Sequence, residues 1–166
     1  MKAVAWLAIT FVALCAACTP VVQQSAVAFH MKEGPFKGDA ESRAALIGRW
    51  FSESVAPNGE RKFELKELRR DGTYQVTFRS IQPNGHFAEQ TEIGVWGVSG
   101  RVYFTIMQGY LVGGSITPVS REDPSYYDAY EILRLDGAEL ELRLPALNVR
   151  YLARRVPPSF RLPDIL

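Results

Sequence analysis

The sequence predicts an all-β chain, an antiparallel up-and-down meander of about eight strands closed into a small barrel and entered through one short helix. Three observations carry this. From residue 47 onward, apolar and polar residues alternate in run after run, the period of two that a half-buried strand requires. Turn pairs such as Asn58-Gly59, Asp71-Gly72 and Asp136-Gly137 separate the runs and carry the chemistry of tight hairpins. Every junction but one is short, so successive strands pair antiparallel. A sheet with one apolar face and open edges must close on itself or be covered, and eight strands closing on themselves make a small barrel.

The chain begins outside that domain. Lys2 precedes the apolar run 3–17, the charge order and length of a bacterial export signal rather than a membrane span. The run closes in Leu14-Cys15-Ala16-Ala17-Cys18-Thr19-Pro20, which resembles the lipobox of bacterial lipoproteins. Ala16 and Ala17 occupy the small positions before Cys18, so the resemblance makes Cys18 the lipidation site and residues 1–17 the signal peptide. Cleavage after Ala17 as an ordinary secreted protein is the alternative. A diacylated, N-acylated cysteine of palmitate type anchors stably, because two or more acyl chains bury far more methylene than one. Thr19 with no Asp beside it implies, by resemblance to enterobacterial sorting rules, the outer membrane of the cell envelope, facing the periplasm or the surface. Both cysteines lie in this segment, leaving no internal disulfide, cysteine metal site or thiol nucleophile.

Residues 18–38 are polar and unpatterned, a flexible tether. Residues 39–47 favour a helix: Asp39 or Ser42 can cap, Glu41 sits in the first turn, and Ala44, Ala45 and Leu46 are good helix formers. Gly48 ends it. Strands are expected over 47–54, 61–70, 73–81, 87–98, 101–107, 126–135, 138–144 and 148–156. In the second, Phe63 and Leu65 lie on one face and Glu64 and Lys66 on the other; the phase slips at Glu67-Leu68, which predicts a bulge. In the third, Tyr74, Val76 and Phe78 alternate with Gln75, Thr77 and Arg79 across the Asp71-Gly72 hairpin, the strongest local signal in the chain. Residues 108–125 form the one long loop. Residues 39–156 make the barrel domain, and Pro157-Pro158 ends it, leaving the extended Pro-rich tail 157–166.

With 47% hydrophobic and 11% aromatic residues the chain can build a core. Removing Lys2 turns 19 basic residues into 18 against 18 acidic ones. A near-neutral domain offers no electrostatic case for nucleic acid. The histidines, His30 in the tether and His86 in a turn, have no partner at metal-ligand or triad spacing. No serine stands in a nucleophile elbow, and Gly113-Gly114-Ser115 lacks the following helix of a phosphate cradle. Glu64, Glu67, Glu89, Glu92, Glu131, Glu139 and Glu141 are expected mostly on the outer face. No catalytic residue, metal site or cofactor is expected, and the chain is expected not to be an enzyme.

The first strand, Gly48-Arg49-Trp50-Phe51 after a short helical turn and before the meander, resembles the opening of the lipocalin and wider calycin group. There the Trp plugs the closed end of the barrel and an Arg near the end of the last strand packs over it. The resemblance, which covers 46–156, gives Trp50 the plug's role and Arg150 or Arg154 the covering cation. Tyr127-Asp128-Ala129-Tyr130 only loosely echoes the group's Thr-Asp-Tyr motif, and Pro157, Pro158 and Pro163 forbid its helix after the barrel.

Aromatic residues carry the binding expectation. Tyr74, Phe78, Trp96, Tyr110, Tyr127 and Tyr130 can wall a small-ligand pocket at a barrel mouth, though aromatics at alternate strand positions are also ordinary core. The chain is therefore expected to be an envelope lipoprotein whose lipocalin-like barrel binds a small apolar or amphipathic ligand. The alternative is a filled barrel serving as a protein-binding accessory lipoprotein (an assembly factor, an inhibitor or an immunity-type partner). Its envelope partner would be contacted by the long loop and by Phe160, Leu162, Ile165 and Leu166, which no periodic element buries.

Overall fold

The computed structural model describes residues 39–163. The signal peptide, Cys18, the tether and Ile165-Leu166 lie outside the described residues. One helix, α1 (Asp39–Leu46), is followed by nine strands: β1 (Gly48–Val55), β2 (Arg61–Leu68), β3 (Thr73–Ile81), β4 (Phe87–Ser99), β5 (Val102–Val112), β6 (Ser115–Pro118), β7 (Tyr127–Leu135), β8 (Glu139–Leu144) and β9 (Val149–Val156). Each of β1 to β5 pairs with the next, β5 continues to β7, β7 to β8 and β8 to β9. β9 returns to β1. Eight strands thus close the barrel, and β6 adds a short hairpin strand along the far end of β5. Among the described residues no helix is long and apolar enough to cross a membrane.

The hairpins hold the register through one repeated device. Asn58, Asp71, Asn84 and Asp136 each accept, through the side-chain Oδ1, the backbone N–H two residues on, at 2.8–3.1 Å. This local bond mimics a backbone turn and delivers the chain into the next strand.

Two expectations about the strands change. The loop expected over 108–125 is in part a hairpin: β5 runs on to Val112, and Gly113 and Gly114, both at positive φ (58° and 83°), turn it into β6. Two successive positive φ values define the turn that matches strand twist, so these glycines shape a hairpin. No bulge interrupts β2, whose pairings with β1 and β3 are continuous. The register shifts lie at Ile93/Gly94 and Ile132/Arg134.

The phase slip in β2 has another cause: both faces of the strand are buried. Leu68 joins the interior with Leu46, Trp50, Tyr74, Val76, Trp96, Tyr103, Ile132, Leu140 and Leu142. Phe63 lies outside, clustered with Phe51, Val156 and Leu162 and flanked by Leu65, Ile81 and Phe160. The tail covers this outer patch. Phe160 packs at a tilt against Phe51, ring centroids 4.9 Å apart, Arg49 Nη1 donates to the Phe160 carbonyl at 3.1 Å and Arg79 Nη1 to that of Pro163 at 2.6 Å. Phe160 and Leu162 are therefore partners of the barrel wall, contrary to their expected lack of cover.

The closed end is built on Trp50, 1% exposed, whose indole N–H donates to the Leu46 carbonyl at 2.8 Å. Its covering cation is Arg155, with the guanidinium 4.2 Å from the ring centroid; the expected Arg150 and Arg154 are corrected. Register explains the difference, because Trp50 stands directly opposite Arg155 in the β1–β9 pair. Arg154 points outward over Phe51 and Phe160, and Arg150 pairs with Glu141 at 3.2 Å. Arg155 also donates to the carbonyls of Ala45, Ile47 and Gly137, tying α1 to β9. Gly48 makes room for it. A Cβ there would lie 2.4 Å from Arg155 Nη1, and the backbone φ of +133° favours glycine independently.

Candidate functional site

Above this plug the barrel is hollow. A cavity of about 850 Å³ is lined by Glu64, Lys66, Tyr74, Val76, Phe78, Glu92, Thr105, Asp128, Tyr130, Leu142, Leu144 and Tyr151 from the strands. Pro124, Ser125, Tyr127 and the β8–β9 turn residues Pro145, Ala146 and Leu147 line it as well. The volume is within the range of small-molecule sites, and the walls have the expected character, mostly apolar with a few convergent polar groups.

Four of the six aromatic candidates are brought together there. Tyr74, Phe78, Tyr127 and Tyr130 line the cavity, Tyr127 being 63% exposed. Trp96 does not. It is buried in the core, its indole N–H donating to the Arg69 carbonyl at 3.1 Å and its ring lying 4.6 Å from the Arg43 guanidinium. Tyr110 stands near the hairpin base, opposite Glu92 on β4 and Thr117 on β6, outside the lining. Tyr103, Tyr130 and Tyr151 form an aromatic ladder with centroid spacings of 5.6 and 5.9 Å.

The polar groups depart most from expectation. Glu64 and Glu92 were expected on the outer face; they point into the barrel, with Lys66 and Asp128. Parity along the strands carries the signal that locates them. Glu64 and Lys66 share the face of Leu68, Glu92 that of Gly94 and Trp96, and Asp128 that of Tyr130, because side chains two apart face alike. Lys66 Nζ lies 2.9 Å from Glu64 Oε1, with the two side chains 13% and 18% exposed. The ammonium also sits 5.6 Å from the ring centroids of Tyr103 and Tyr130.

Burial is the largest single influence on Lys66 and opposes its charge, but the Glu64 carboxylate and its hydrogen bond, together with the Tyr103 and Tyr130 oxygens, outweigh it and hold the ammonium above the ordinary lysine range. Burial pushes the Tyr103 hydroxyl up to about 12 and raises Tyr74, Tyr130 and Tyr151 as well. At neutral pH these phenols are therefore hydrogen-bond donors. Burial raises Glu92 too, with the charges of Asp128 and Glu64 adding to it and the Gln90 amide, which donates at 2.8 Å, opposing it. Asp128 is raised by burial, against the Tyr130 hydroxyl donating at 3.3 Å and the Lys66 charge. Among the described residues no group of three or more His, Cys, Asp and Glu side chains is placed to hold a metal ion.

No protein-family model matches the sequence, and no curated protein matches it. Among solved structures, the chain is similar to the crystal structure of a lipocalin-like protein from Bacteroides uniformis, at 13% identity and a TM-score of 0.44, over 68% of this chain and 99% of that one. The architecture stands on this chain's own strand pairing: an all-β barrel of eight antiparallel strands, closed β1 to β9 and plugged by Trp50 beneath Arg155.

Proposed function

We propose that this chain is an envelope lipoprotein, anchored through Cys18 to the outer membrane, whose barrel binds a small amphipathic molecule and performs no catalytic step on it. One observation carries the binding: the cavity of about 850 Å³ framed by Tyr74, Val76, Phe78, Tyr127 and Tyr130, where a filled barrel would have made the interior core alone. Its apolar walls suit a hydrocarbon or aromatic body, and its charged and phenolic groups suit one polar end. Of the residues that motivated the protein-partner alternative, Phe160 and Leu162 pack on the barrel wall, which favours the binding reading.

Native mass spectrometry of the protein gently extracted from the envelope should show a bound organic molecule. Val76→Trp, which places an indole into the cavity, should come out empty while melting near the parent temperature. Tyr127→Ala, at an exposed position, should retain the fold and lose part of the occupancy. A parent protein that is consistently empty would sink the binding function. The anchor is checked separately: labelled palmitate should enter the protein in cells and be lost in Cys18→Ser, whereas equal labelling of both would remove lipidation at Cys18.

A further inference from the structure

The cavity walls carry three carboxylates, Glu64, Glu92 and Asp128, against one cation, Lys66, and no arginine. Lys66 and Glu64 neutralise each other at 2.9 Å. Glu92 and Asp128 remain. Each accepts a hydrogen bond from a neutral donor, the Gln90 amide and the Tyr130 hydroxyl, and neither has an ion-pair partner among the described residues. Two partly buried carboxylates without a counter-cation are an unfavourable arrangement for an empty site, and each raises the cost of ionising the other. A second, independent feature lies below them. Tyr103, 0% exposed, holds its hydroxyl buried with no hydrogen-bond partner. It shares the inward face of β5 with the cavity-lining Thr105 and stacks on Tyr130. A buried phenol without a partner is uncommon, but Tyr103 stands behind the cavity wall and outside its lining, so the two carboxylates carry the argument.

Building on the cavity-binding function above, we propose that the barrel selects a cationic amphiphile, an amine or quaternary ammonium with an apolar body. Its charged head lies between Glu92 and Asp128, against the tyrosine faces. Both attractions act on the same atom of the ligand: the carboxylates by charge and the rings of Tyr74, Tyr130 and Tyr151 by their negative faces. An anionic head finds the opposite situation, because the one cation it could reach is already held by Glu64 and the two free charges repel it.

The test uses three probes with one skeleton and different heads, 4-phenylbutylammonium, 4-phenylbutanol and 4-phenylbutyrate. They are titrated calorimetrically into the full chain in nanodiscs of uncharged phospholipid, with empty nanodiscs as the blank. The ammonium should bind about ten-fold or more tighter than the alcohol, and the carboxylate weaker than the alcohol. In the isosteric double variant Glu92→Gln/Asp128→Asn the ammonium should lose its advantage over the alcohol. Equal binding of ammonium and alcohol, or tightest binding of the carboxylate, overturns the charge preference and leaves the cavity function standing. Binding of none of the three overturns both. The comparison on the unaltered protein decides the matter even if the double variant does not fold.

Discussion

Trp50→Ala is expected to lower the unfolding free energy by about 3–5 kcal/mol, the range for removing a fully buried large aromatic. The indole is the floor on which the closed end rests, holding α1 through its bond to the Leu46 carbonyl and supporting Arg155 on its face. Arg155→Met should follow at about 2–4 kcal/mol. Its guanidinium serves the Ala45, Ile47 and Gly137 carbonyls at once, and hydrogen bonds made by a charged group are among the stronger ones. Arg154→Met, a residue away but on the outer surface, should cost about 1 kcal/mol or less, as an exposed cation over aromatic rings does. Urea unfolding with unchanged slope measures all three. An Arg154 variant as damaging as the Arg155 variant would show that the plug is assigned to the wrong arginine.

Replacing Phe160 and Leu162 together by Ala should cost about 3–5 kcal/mol, reading as a melting temperature lower by about 10 °C or more. The tail has no regular structure of its own, yet it closes the outer patch of Phe51, Phe63 and Val156 and is held by Arg49 and Arg79 through its backbone carbonyls. Removing its two apolar anchors strips cover from rings that the strands cannot bury themselves. Arg161→Ala, at an exposed position between them, should leave the melting temperature unchanged. Should the Phe160/Leu162 variant melt as the parent does but lose a copurifying protein, the tail would return as a partner-binding surface.

A barrel that plugs one end with Trp50 and Arg155 and seals one outer wall with its tail can leave the other end hollow, since stability is drawn from the floor and the outside. The binding space then need not be filled with core side chains, and charged groups such as Glu64, Lys66, Glu92 and Asp128 can face inward without undoing the fold.

Part of the fold is legible in the residues alone because it follows from local chemistry. The Asx turns at Asn58, Asp71 and Asn84 and the alternation in Tyr74, Val76 and Phe78 specify hairpins, because turn residues and the two-residue period act between neighbours in the chain. From these came the meander and its closure, while the place of Trp50 came from the resemblance carried by Gly48-Arg49-Trp50-Phe51. Which face of β2 turns inward depends on contacts between residues far apart in the chain. Alternation separates Phe63 and Leu65 from Glu64 and Lys66 but cannot tell inside from outside once a tail nearly a hundred residues later buries the outer face. The choice of Arg155 over Arg154 rests on the β1–β9 register, a pairing between the ends of the barrel that no local pattern specifies, and a shift of one residue exchanges the two faces. The cavity was likewise beyond local reach: its volume is what eight closed strands leave unfilled after every inward side chain is placed, a property of the whole barrel and of no single stretch.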